Sequence, residues 1–289
     1  MKTRTLCSVA LLAILGANVA LPVAASADAK NLTSTGHIEY EEDTTVTPPI
    51  DHEKPEEELD DKDEIVKNPD GGSLAIDAVT KLQFMKQKAV TTDQRYYAKQ
   101  VPADKNGVSD GFRGNFVQVT DKRIDSRTPW TLTAKLNKQF TTGDANDATN
   151  VLAGSTITYT NPTINGKGDD KSLFPVLGSK ASTFTLSFDK TNGGNTINVM
   201  GTKTAEQGFG TFTIGFGNTA GFEGADKGKT PGLGVPTPED STGTPDSDPK
   251  KQDLIHNGSV QLFVPGNAIK KKAAYEAEVL WSIATTPID

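Results

Sequence analysis

Pro129-Trp130-Thr131-Leu132-Thr133-Ala134-Lys135-Leu136 and Tyr275-Glu276-Ala277-Glu278-Val279-Leu280-Trp281-Ser282-Ile283 hold the only two tryptophans of the chain. In both runs apolar residues recur at every second position, the period of a half-buried strand. Trp130, Leu132, Ala134 and Leu136 fall on one face of the first run. Tyr275, Ala277, Val279, Trp281 and Ile283 fall on one face of the second. Stripes this regular predict that both tryptophans pack inside and join the two strands. The alternative is an open groove in which the indoles stack on sugar faces. Thr131, Thr133 or Glu276 would then supply hydrogen bonds.

Outward from these runs the pattern repeats. Leu74–Val79, Arg95–Val101, Asn115–Val119, Ser155–Thr160 and Ser182–Phe188 are short segments rich in Thr, Val, Ile and aromatics. Thr196–Met200, Gly208–Phe216 and Ser259–Val264 are of the same kind, and Gly, Asn, Asp and Pro clusters separate them all. No long helical period occurs, although Pro265–Lys272 suits one helical turn. Glu223–Asp253 carries five glycines and five prolines without a strand pattern, so it reads as a disordered loop. Asp144–Asn150 and Asn161–Asp170 read as shorter loops. The fold class expected is all-β: a single β-sandwich or partly closed barrel over residues 71–289.

Two segments precede that domain. Residues 1–27 have the layout of a secretory signal peptide. Lys2 and Arg4 lead an apolar stretch from Leu6 to Val23, and Ala25-Ser26-Ala27 forms a small-residue cleavage site. The only cysteine, Cys7, would leave with it, which excludes disulfides, thiolate metal sites and cysteine nucleophiles from the mature chain. Residues 28–70 hold 15 acidic and 4 basic residues with four prolines and few large apolar side chains. Such a composition predicts a disordered acidic linker. Gly71–Asp289 carries 24 basic and 22 acidic residues, so the acidity of the chain belongs to the linker. A nearly neutral domain makes no electrostatic case for nucleic acid.

A search for catalytic chemistry yields nothing. His37 and His52 fall in the acidic segment, and His256 stands at the edge of the long loop. A lone loop histidine builds no Ser-His-Asp set. Metalloprotease, nucleophile-elbow and phosphate-loop motifs are absent. Asp169-Asp170 and Asp189 read as turn formers rather than a glycosidase pair. Glu56-Glu57-Glu58 with Asp60 and Asp61 lacks the oxygen spacing and glycine of a calcium loop. The expectation is a binding or structural protein, not an enzyme, with no cofactor and no metal.

The two tryptophan runs resemble the paired motifs of the WxL-domain family of Gram-positive cell-surface proteins. Pro129-Trp130-Thr131-Leu132-Thr133 is similar to the first motif. Tyr275, Ala277, Val279, Leu280, Trp281, Ile283 and Pro287 follow the second, a Tyr-x-Ala-x-Leu-Thr-Trp-x-Leu strand ending in proline. Val279 and Ile283 are conservative departures, and Leu280 in place of threonine is a clearer one. The resemblance implies non-covalent attachment to peptidoglycan or another wall polymer. Trp130, Leu132, Tyr275, Ala277, Trp281 and Ile283 are its motif or wall-binding residues. It also implies other WxL proteins and membrane-anchored WxL-binding proteins as partners. The expected location is secreted, at the cell wall, without a membrane span, and the lack of a sorting motif before Asp289 fits non-covalent retention. The alternative is a scaffold or adhesin module that binds proteins rather than wall glycan.

Overall fold

The computed structural model describes residues 33–289, apart from 61, 126, 220–232 and 237–254. The expected signal peptide lies outside the described residues, as does the 223–253 loop except for 233–236. Residues 33–40 are exposed and carry no regular structure; the compact unit is Glu41–Asp289.

That unit is built from strands. In chain order they are β1 (Ile65–Lys67), β2 (Leu74–Thr80), β3 (Gln94–Lys99), β4 (Val101–Lys105), β5 (Val108–Arg113) and β6 (Asn115–Asp121). Next come β7 (Thr131–Thr141), β8 (Thr156–Thr160), β9 (Pro162–Gly166), β10 (Val176–Leu177), β11 (Thr183–Leu186) and β12 (Phe188–Asp189). The last are β13 (Gly193–Gly194), β14 (Thr196–Gly201), β15 (Gly210–Phe216), β16 (Leu233–Pro236), β17 (Ile255–Val264) and β18 (Glu276–Ala284). The only helical elements among the described residues are single 3-10 turns at Ala148–Asn150 and Lys171–Leu173. Asp147 and Asp170 cap them by accepting from the Thr149 and Ser172 amides.

Three antiparallel sheets result. The first runs β1-β2-β6-β15-β9, the second β10-β14-β7-β18, and the third β11-β8-β17-β16 with β3 also on β17. Two ribbons, β4-β5 and β12-β13, complete the set, and no sheet closes into a barrel. One core serves all three sheets. Val119, Phe212 and Ile214 come from the first, Leu132, Ala134 and Val199 from the second, and Ile157, Tyr159 and Val260 from the third. The all-β expectation holds in its open-sheet form.

Several expectations need correction. Asn161–Asp170, read as a loop, contains β9, which is buried throughout and pairs with β15. Within the loop expected at 223–253, Leu233–Pro236 is a strand paired with the start of β17. His256 is therefore not a loop residue but lies buried in β17. Pro265–Lys272 forms turns without a helix. β1, β4 and β5 were not legible as strands.

The largest correction concerns the acidic segment. Of the expected linker, residues 33–46 are exposed, but Pro49, Ile50, Asp51, His52, Leu59 and Ile65 are buried. This strap lies across the outer face of the first sheet. Strand parity explains why that face needs a cover. Val117 and Val119 of β6 point to the main core, while Phe116, Gln118 and Thr120 point the other way, and all five are buried. Gln118 Oε1 accepts from the Ile50 amide at 2.8 Å and Gln118 Nε2 donates to the Pro48 carbonyl at 2.9 Å. The His52 ring sits between the Thr213 and Thr163 hydroxyls, at 2.8 and 2.6 Å. It lies flush on β15, where a Cβ at Gly215 would stand 2.4 Å from the ring. Leu59 and Ile65 form a second small core with Ala78, Val101, Ala103 and Phe116.

Charge locks the strap. Asp51 is fully buried and accepts from Arg113 Nε and Nη2, each at 2.8 Å. Lys105 reaches the same carboxylate at 2.8 Å. Burial alone would raise the Asp51 pKa, but the bonds from Arg113 and Lys105 outweigh it and hold the group below the usual range. Composition misled because it measures what a segment can bury by itself. Here a few apolar residues seat on a sheet face that already exists, and the domain's cations neutralise the acids.

Candidate functional site

The two tryptophan runs meet in the second sheet. β7 and β18 pair antiparallel, with Trp281 opposite Ala134, Ile283 opposite Leu132 and Val279 opposite Leu136. Thr131 and Thr133, considered as ligand donors, are spent on this seam. Their hydroxyls donate to the Thr286 and Ser282 carbonyls at 2.8 and 3.3 Å.

The two indoles differ in burial. Trp130, just before β7, and Leu132 are each 0 % exposed. The Trp130 backbone is pinned on both sides: its amide donates to Thr202 Oγ1 at 3.0 Å, and its carbonyl accepts from the Thr202 amide at 2.8 Å. Gly208, at φ +74°, packs so close that an added Cβ would stand 3.1 Å from Trp130 Nε1. That ring nitrogen is buried without a hydrogen-bond partner among the described residues. Trp130 and Leu132 thus have no surface to offer a ligand.

Tyr275, Ala277, Val279, Trp281 and Ile283 are half-buried and pack against the main core. The Trp281 ring meets Tyr159 edge-on with centroids 6.1 Å apart and lies 6.4 Å from Phe216. Tyr159 in turn stacks on Phe184 at 4.9 Å. Trp281 is therefore the outer member of an aromatic cluster that ties the second sheet to the third and the first. Burial pushes the Tyr159 phenol up and keeps it neutral. The Tyr275 hydroxyl accepts from the Lys271 amide at 2.8 Å, which fixes the entry into β18.

What the paired strands present outward is polar apart from Leu280. Thr133, Lys135 and Asn137 on β7 stand beside Glu278, Leu280 and Ser282 on β18, and Asn137 Nδ2 donates to Glu278 Oε1 at 2.6 Å. A shallow depression of about 350 Å³ opens at one end, lined by Lys138, Thr141, Thr142, Gly143, Ala274 and Glu276. Glu276, the third donor considered, is exposed there.

A family model described as "WxL domain surface cell wall-binding" matches residues 27–287. The chain belongs to the WxL-domain family. The match spans the acidic segment as well as the strands, in keeping with a strap that is part of the fold. Membership makes this a cell-surface protein with a wall-binding role. The two WxL motifs are thus neighbouring strands of one sheet, and their tryptophans serve the core. No curated protein and no solved structure matches the chain. Among the described residues no helix is long and apolar enough to cross a membrane, and no group of three or more His, Cys, Asp or Glu is placed to hold a metal.

His256, the one histidine of the expected domain, is buried in β17. Burial lowers its pKa, and its Nε2 has no hydrogen-bond partner among the described residues. His52 is the residue that sequence reasoning passed over. Its ring organises the strap, and only its neighbours Ile50 and Asp51 hinted that it faces a partner surface.

Proposed function

We propose that this WxL protein is exported by the N-terminal signal and attaches non-covalently to peptidoglycan. The observation that carries this reading is the family match across nearly the whole folded chain. Burial of Trp130 moves the contact away from the indoles and onto the polar outer face of β7 and β18. There Lys135 and Asn137 offer the cationic and polar side chains that a hydrated glycan–peptide polymer takes. The role is binding without catalysis: His52 and His256 are both buried, one between two threonines and the other near the start of β17. Other WxL proteins and membrane-anchored binding proteins remain the partners that the resemblance implies.

The decisive experiment is co-sedimentation with peptidoglycan stripped of protein and secondary polymers. The protein should enter the pellet, and Lys135→Glu should leave it in the supernatant with its fold intact by circular dichroism. Failure of the unmodified protein to sediment overturns the peptidoglycan reading. A zymogram with the same wall material tests the absence of catalysis, and clearing of the wall would refute it.

A further inference from the structure

The last strand has one edge to spare. Among the described residues β18 is paired by β7 alone, and it is nine residues long. Proteins usually shorten, bend or cover an edge of that length, because its unpaired backbone groups invite another strand. β18 is neither short nor bent. The β7–β18 ladder has two irregularities, and in both the extra residue lies on β7: Glu276 and Glu278 pair with Thr141 and Lys138, and Val279 with Leu136. β18 itself alternates without a break. At its midpoint Leu280 is 42 % exposed, a large apolar side chain in an otherwise polar or small row of Glu276, Glu278, Ser282 and Ala284.

We propose that this edge pairs with the same edge of a second copy, antiparallel about a twofold axis through Leu280. The sequence of β18 is self-complementary in that register. Leu280 meets the partner's Leu280, which removes both from water. Glu278 faces the partner's Ser282 and Glu276 faces the partner's Ala284, so no like charges oppose each other. On the half-buried face Val279 lies beside the partner's Trp281, and Ala277 beside the partner's Ile283. All nine residues of the strand are used, and two four-stranded sheets become one. Other registers are poorer. An axis through Glu278 sets that carboxylate against itself. An axis through Val279 places Leu280 against the partner's Glu278, and one through Trp281 places it against the partner's Ser282. The pairing is isologous, so it closes at a dimer and leaves no further edge of this kind to propagate. The proposal rests on strand geometry alone and holds whichever wall polymer is bound.

Because Cys7 is the only cysteine, a Cys7→Ser full chain gives a thiol-free background for crosslinking. Directly opposed strand residues hold their Cβ atoms near disulfide distance. Leu280→Cys should form a covalent dimer under mild oxidation. Glu278→Cys and Ser282→Cys should crosslink when mixed, but each should remain uncrosslinked alone. Sedimentation equilibrium of the unmodified chain should show a reversible dimer. Leu280→Glu should weaken it by about tenfold or more, since apolar contact is lost and two carboxylates then face each other. Within its own protomer that glutamate would stand opposite Lys135, so the fold should be retained. A chain that stays monomeric up to its solubility limit overturns the proposal and leaves the edge to a different protein. Glu278→Cys crosslinking alone as readily as in the mixture overturns the register.

Discussion

Replacing Asp77 with asparagine should stabilise the protein at neutral pH. The carboxyl lies 3 % exposed on the outer face of the first sheet, beneath the strap. Burial raises its pKa from 3.8 to about 6, and hydrogen bonds from Thr120 and Gln118 only partly oppose this. An unfolded aspartate releases its proton near the lower value, whereas the folded one holds it until the higher. Between the two the folded state binds more protons, so raising the pH through that window takes stability away. A shift of about two pH units corresponds to a penalty of about 3 kcal/mol once both states are ionised. Asparagine has nearly the same shape, never ionises, and its Oδ1 accepts from the same two donors. Urea unfolding of both proteins at a series of pH values measures the effect. The stability difference should be small below ~pH 4, grow through ~pH 6 and level off above it. Other titrating groups are common to both proteins and cancel. A difference that does not change with pH, or a variant less stable at neutral pH, refutes the reasoning.

Three further outcomes are expected. Asp51→Ala leaves Arg113, 6 % exposed, without its buried partner, and should cost about 3–5 kcal/mol in urea unfolding. The Asp51 pKa is lowered, so its clasp should be at full strength above the ordinary aspartate range and fade as the pH falls through the folded pKa. Trp130→Ala should cost about 3–5 kcal/mol, and Trp281→Ala should cost less because its ring is half-buried; equal losses by thermal or urea unfolding would contradict the difference in packing. A chain trimmed to begin at Pro48 should fold cooperatively. One trimmed to begin at Lys54 loses Ile50, Asp51 and His52 and should show a broadened or absent transition by circular dichroism.

Alternation was the readable part of this fold. The tryptophan strands, β2, β6, β8, β14 and β15 each carry Val, Ile, Phe or Tyr at the period of a pleated sheet, and their boundaries fall within a few residues of the structure. β9 escaped because Pro162-Thr163-Ile164-Asn165-Gly166 has turn-forming composition; its burial comes from lying between β15 and the strap. β4 and β5 escaped because Val101-Pro102-Ala103-Asp104-Lys105 is too polar to announce a strand, yet its Val101 and Ala103 face a core that Leu59 and Ile65 complete. The strap was hidden for the same reason. Its burial depends on residues 68 to 161 positions away, such as Gln118, Thr163 and Thr213, and no local window contains them. At the candidate site, periodicity favoured core-facing tryptophans, and their burial differs only in degree between Trp130 and Trp281. That β18 sits at a sheet edge has no local signature, since edge and centre positions alternate alike.

The pairing of β7 with β18 has a kinetic consequence. Thr131 and Thr286, joined across this seam, are 155 positions apart in the chain. The second sheet therefore cannot close until β18 has been made, and the core it shares with the other sheets stays open until then. Contacts of such separation slow folding, because the loop entropy is lost before the contact forms. For a chain that we propose is exported by its N-terminal signal, that delay is useful. Placing a core strand this far along the chain from its partner delays closure until β18 has followed β7 across.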